Sequence, residues 1–136
     1  MTKNKEGIKV TLSKELSEEY FHYALCNGLS EFWHYDLELS YDELAYSRAK
    51  ESLQESLEFK DETICYEDVL MEILRMGGSL TVKGNGEDCS ILLDDVHNRV
   101  QKTMWRHLND VINEQGDATT ADVILQTVFF KEIMFG

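Results

Sequence analysis

The stretch GDATTADVILQTVFFKEIMFG, at the end of the chain, is apolar on every side of any helix drawn through it. Ala121, Val123, Ile124, Leu125, Val128, Phe129, Phe130, Ile133, Met134 and Phe135 leave no continuous polar face. A helix of this kind must be enclosed on all sides. Either the rest of the domain wraps it, or one face packs internally and the other meets a second copy of the chain. Large aromatic side chains are typical anchors at interface centres. The expectation is therefore a homo-oligomer assembled through Phe129, Phe130, Met134 and Phe135.

The remainder of the 136 residues is long enough for one domain, residues 1–136, with a core of its own. There is no proline, where average usage of about 5% would supply roughly seven, so helices can run without proline breaks. GIKVTLS alternates Ile8, Val10 and Leu12 and reads as a short N-terminal strand. Ser13 then caps a helix with a stripe of Leu16, Tyr20, Tyr23 and Ala24, which Gly28 bends or ends. Ser40 and Glu43 stand at capping-box spacing before a second helix through Leu44, Arg48, Ala49, Leu53 and Leu57. CYEDVLMEILRMGG gives a third, facing inward with Val69, Leu70, Ile73 and Leu74 and stopped by Gly77 and Gly78.

Leu80 and Val82 alternate before Gly84, Asn85 and Gly86, and Cys89 and Ile91 alternate after them, which predicts a β-hairpin. A fourth helix is expected from Asp94 through Val96, Val100, Met104, Leu108 and Val111. Thr119 and Asp122 are at capping spacing for the last. The expected class is α+β and helix-rich, with roughly five helices, the hairpin and the N-terminal strand.

Charge narrows the function classes. Thirteen basic against 26 acidic residues give −13 and a pI near 4.6, which opposes direct nucleic-acid binding or a broad anionic membrane surface. No signal peptide or spanning segment is legible. Cys26, Cys65 and Cys89 are scattered and odd in number, which fits structural thiols in a reducing cytoplasm.

ALCNGLSEFW, CYEDVL followed by Gly-Gly and a hairpin, and the closing DATTADVILQTVFFKEIMFG resemble a family of small functionally unassigned proteins encoded by tailed phages and prophages. Asn27 stands where that family has a second glycine. The resemblance implies no activity and no catalytic residue. It does imply an accessory role in the host cytoplasm, where counter-defence is a common task.

Chemistry-bearing motifs are sparse. No CxxC or HxxxH pair marks a metal site, no calcium-loop spacing occurs among the carboxylates, and no Cys–His signature marks a nucleophile. No catalytic residue, metal or cofactor is expected. One feature runs against the global charge: Arg99, Lys102 and Arg106 recur at three- and four-residue intervals beside Trp105. On one helix face they form a cationic stripe able to hold a phosphate, with Trp105 stacking a base. Asp95 with Arg99, and Arg106 with Asp110, would also make ordinary four-apart ion pairs. Trp33 and Tyr35 follow a helix and are a second set of rings suited to a flat ligand. The expected function is non-enzymatic sequestration of a small nucleotide-like signal through Arg99, Lys102, Trp105, Arg106, Trp33 and Tyr35. The alternative is an acidic inhibitor of a host protein, imitating the phosphates of DNA.

Overall fold

A computed structural model of the chain describes residues 10–57, 63–84 and 86–135. The elements in order are α1 (Lys14–His34), β1 (Glu38–Ser40), α2 (Glu43–Glu55), α3 (Tyr66–Arg75), β2 (Leu80–Gly84), β3 (Glu87–Ile91), α4 (Leu93–Arg99), a 3₁₀ turn (Val100–Lys102), α5 (Trp105–Ile112) and α6 (Ala118–Phe130). The class is the helix-rich α+β expected, with six α-helices among the described residues and an antiparallel sheet in the order β1-β2-β3. None of these helices is long and apolar enough to cross a membrane.

The hairpin forms where Leu80/Val82 and Cys89/Ile91 alternate: Leu80 lies opposite Ile91, Val82 opposite Cys89 and Gly84 opposite Glu87. Leu80, Val82 and Ile91 are buried on one face of the sheet. The third strand is not the N-terminal run. Val10 and Leu12 lie outside any strand, Ile8 falls outside the described residues, and Glu38–Ser40 pairs with β2 instead. The Leu12 N–H goes to the Gln101 side-chain oxygen at 3.0 Å, so this segment is held by a side chain rather than by a ladder.

α6 is the central element. Every residue from Thr120 to Phe129 is buried, polar ones included. α1 supplies the closest wall, and Gly28 is the reason it can. α1 continues through Gly28 rather than ending there, and a β-carbon at that position would stand 2.9 Å from Leu125 Cδ1 and 3.0 Å from the Ala121 carbonyl carbon. The glycine therefore sets the α1–α6 spacing. Phe21 and Phe32 pack on Phe129 with ring centroids 6.1 and 6.0 Å away. The demand to cover the greasy helix is thus met within one chain: Phe129 is buried, and Phe130 and Phe135 are half-buried against their own chain. Only Ile133, at 43% exposure, and Met134, at 45%, stand well out among the apolar residues of the tail.

Ser13 caps α1 as expected, accepting the Leu16 N–H at 3.1 Å, whereas the caps of α2, α4 and α6 lie one to two residues from their expected places. Asp42, not Ser40, caps α2 by accepting the Ala45 N–H at 3.0 Å, because Ser40 is occupied as the last residue of β1. Asp117, not Thr119, caps α6 through the Thr120 N–H at 2.9 Å. Hydrogen bonds from the Thr120 backbone and side chain, with Thr119 and His107 contributing less, hold its carboxyl below the usual aspartate range. Asp95 rather than Asp94 serves α4, reaching back to the Leu92 N–H at 2.8 Å. α3 ends as expected: Gly77 takes φ +90°, and its N–H and that of Gly78 return to the Leu74 and Ile73 carbonyls at 3.0 and 2.8 Å.

The fourth expected helix is broken in two. Val96, Val100, Met104 and Leu108 are spaced by fours, and each such step overshoots a full turn by about 40°. A straight helix would carry Leu108 about 120° away from the face of Val96. The 3₁₀ turn and an extended Thr103 (φ −57°, ψ 143°) and Met104 reset the rotation, so that Val96, Val100 and Leu108 are all fully buried.

Candidate functional site

That break decides the fate of the cationic stripe. Arg99 ends α4, Lys102 ends the 3₁₀ turn, and Trp105 and Arg106 open α5, so the four residues do not share one helix face. Arg99 and Lys102 line a cleft of about 510 Å³, together with Asp95, Asn98 and Gln101 from the same stretch and Thr127 and Lys131 from α6 and its end. Trp105 and Arg106 are not among its walls. The expected Arg106–Asp110 ion pair is absent among the described residues, whereas Asp95 and Arg99 do pair, at 3.0 Å.

Arg99 has a second task. Its guanidinium donates to the Val128 carbonyl at 2.8 Å. That oxygen is one of the last-turn acceptors that a helix cannot satisfy by itself, and a cation there also meets the negative end of the helix dipole. Arg99 is therefore held in place by a carboxylate and a carbonyl. Lys102 and Lys131 are exposed and make no ion pair among the described residues. With Asp95 and Arg99 neutralising each other, the cleft keeps the charge of two lysines, with the amides of Asn98 and Gln101 beside them. Lysines in this role act as point charges toward phosphate.

The two other expected rings do not reach this cleft. Tyr35 stacks on Phe135 with centroids 4.6 Å apart and planes 13° from parallel, and its hydroxyl donates to Asp122 at 2.7 Å. Burial, then the bond to Asp122 and its charge, raise the Tyr35 phenol above its ordinary range. Its face is already covered by Phe135, so it fastens the tail rather than offering itself to a ligand. Trp33, by contrast, is 68% exposed at the end of α1. Tyr41, just before α2, gathers with Tyr46 of α2 and Tyr66 of α3, but their centroids are 5.2 to 6.2 Å apart, so the rings fill one another's space and leave no cage.

A Cys–His–Asp arrangement forms that the sequence did not announce. His22 Nε2 is 2.6 Å from Asp68, and Cys26 Sγ is 3.9 Å from both ring nitrogens of His22. A sulfur equidistant from both nitrogens lies beside the ring rather than in line with a lone pair. Burial, and then the charges of Glu67, Asp68 and Cys65, push the Cys26 thiol up, opposite to what a thiolate nucleophile requires. Among the described residues no group of three or more His, Cys, Asp or Glu is arranged to hold a metal ion.

Asn98, Gln101, Thr127 and Lys131 are the cleft residues that sequence reasoning missed. The only available signal was Lys131 with Glu132 interrupting an otherwise apolar ending. Comparison with protein-family models, curated proteins and solved structures finds no match to this chain.

Proposed function

We propose that this protein binds a small phosphorylated, nucleotide-like ligand in the cleft and holds it without chemical turnover. One observation carries the proposal: a chain of charge −13 gathers Arg99, Lys102 and Lys131 around a single cleft, with Arg99 held by the Asp95 carboxylate of the same wall. A cleft of about 510 Å³ falls within the range typical of small-molecule sites. In the phage-accessory setting that the sequence resemblance implies, retention of this kind lowers the free concentration of a host nucleotide signal. The proposed assembly is a homo-oligomer using the exposed Ile133 and Met134 with the outer edges of Phe130 and Phe135.

Native mass spectrometry, before and after adding a panel of linear and cyclic nucleotides, tests both parts. A stoichiometric mass increment that disappears in Lys102→Glu supports the ligand, and an even-numbered oligomer supports the assembly. No increment with any nucleotide refutes the binding proposal, and a bare monomer at all concentrations refutes the assembly.

A further inference from the structure

We infer that Lys131 is the phosphate-gripping residue of the cleft, paired with Lys102, and that the group they hold is a dianionic terminal phosphate. This deepens the ligand proposal above and rests on it.

α6 ends at Phe130, and Lys131 follows in the left-handed conformation, φ 67° and ψ 1°, its N–H returning to the Thr127 carbonyl at 3.0 Å. Glycine is the residue that takes this position without a steric penalty, and the chain uses it so at Gly77 after α3. Strain alone does not single out Lys131, since Asp36 and Glu114 follow α1 and α5 with φ 59° and 58°. Placement does. The left-handed turn sorts two opposite charges: Lys131 lines the cleft, while Glu132, its neighbour, lines a separate groove beside Leu37, Gly84 and Cys89 of the sheet side. The carboxylate next in sequence is thereby kept off the lysine's side of the molecule.

The charge count then points to the ligand class. Asp95 and Arg99 cancel at 3.0 Å, and neither Lys102 nor Lys131 has an ion-pair partner among the described residues. Two uncompensated ammonium groups match two negative charges, the state of a phosphate monoester near neutral pH. Gln101 spends its side-chain oxygen on the Leu12 N–H, which leaves its NH₂ as the donating end beside that phosphate. Conformation and charge are in opposition at Lys131: glycine there would relieve the backbone and empty the site.

That opposition makes the test. Inorganic pyrophosphate and ATP are titrated calorimetrically, at low ionic strength, into the wild type, Lys131→Gly and Lys131→Arg, and the thermal midpoint of each is measured. Lys131→Gly is expected to melt at or above the wild type yet bind about tenfold or more weakly. Lys131→Arg is expected to stay within about threefold of the wild type. If the wild type binds and Lys131→Gly binds equally well, the role of Lys131 is overturned while the cleft stands. If Lys131→Gly melts lower and Lys131→Arg is as weak as it is, Lys131 is structural and the inference falls. If the wild type takes up neither probe, the inference of a terminal-phosphate grip falls, while the broader ligand proposal is decided by the nucleotide panel above.

Discussion

Gln126→Met severs the chain's ending from its central helix, and the size of the effect follows from the hydrogen bonds. Gln126 is fully buried. Its side-chain oxygen accepts the N–H groups of Met134 and Phe135 at 2.8 and 2.9 Å. Its NH₂ donates to Asp122 at 3.1 Å and to the Phe135 carbonyl at 3.2 Å. Methionine keeps the length and volume of glutamine, so little is lost to a cavity. Three neutral bonds at about 0.5–1.5 kcal/mol each, and one to a carboxylate at about 1.5–3, set the range. The tail's backbone groups recover water when it swings away, which places the three neutral bonds at the low end of that range. A loss of roughly 3–5 kcal/mol results, a large share of the about 5–15 kcal/mol that holds a domain folded. At about 2.1 cal/mol/K per residue, the thermal midpoint falls by about 10–17 °C.

Calorimetry reads the midpoint, and near-ultraviolet circular dichroism reads the Tyr35–Phe135 stack, which the tail carries away with it. Tyr35→Phe removes only the hydroxyl on Asp122, and combined with Gln126→Met it should be less than additive, because both groups act on the same carboxylate. A Gln126→Met midpoint within about 3 °C of the wild type, with the stack signal intact, refutes the assignment of Gln126 as the fastening of the tail.

Gly28→Ala gains about 1 kcal/mol of helix propensity but drives a methyl against the Ala121 backbone, where overpacking costs about 1–3 kcal/mol. A lower midpoint is expected, and an unchanged or higher one would show that α1 and α6 separate freely. Burial pushes the Glu18 carboxyl up, but hydrogen bonds from His97 and Arg75, with the Arg75 charge, outweigh it and leave it below its ordinary range. A lowered folded-state pKa means that the stabilisation is complete above the unfolded carboxylate's pKa of about 4.3 and is lost as pH falls through the folded value. The gap in thermal midpoint between wild type and Glu18→Gln should therefore be widest near neutrality and close below about pH 4.3; a gap constant down to pH 3 contradicts it. Arg106→Glu, outside the cleft, should leave nucleotide binding unchanged by calorimetry, whereas Lys102→Glu should abolish it. Equal losses in the two variants would return the site to α5.

The sequence by itself determined the class and most of the inward faces. Val69, Leu70, Ile73 and Leu74 are buried at the spacing that marked them, and the alternation around Asn85-Gly86 became the hairpin. Such patterns are legible because period and local turn chemistry lie within a few consecutive residues. What covers a helix apolar on all sides depends on partners far away in sequence: α1 closes on α6 because Gly28 lacks a side chain where Leu125 and Ala121 pass. The strand Glu38–Ser40 was hidden for the same reason, being specified by pairing with β2 rather than by any alternation of its own. The candidate site was legible only in part. Arg99 and Lys102 were readable as cations near one another in sequence. Only the tertiary structure decided that a turn at Thr103 would part them from Trp105 and Arg106, and that a left-handed turn would bring Lys131 from the far end of the chain to stand with them. Burial of Val96, Val100 and Leu108 together requires the first event, and ending α6 against the cleft produces the second. Both are consequences of packing, which no local window contains.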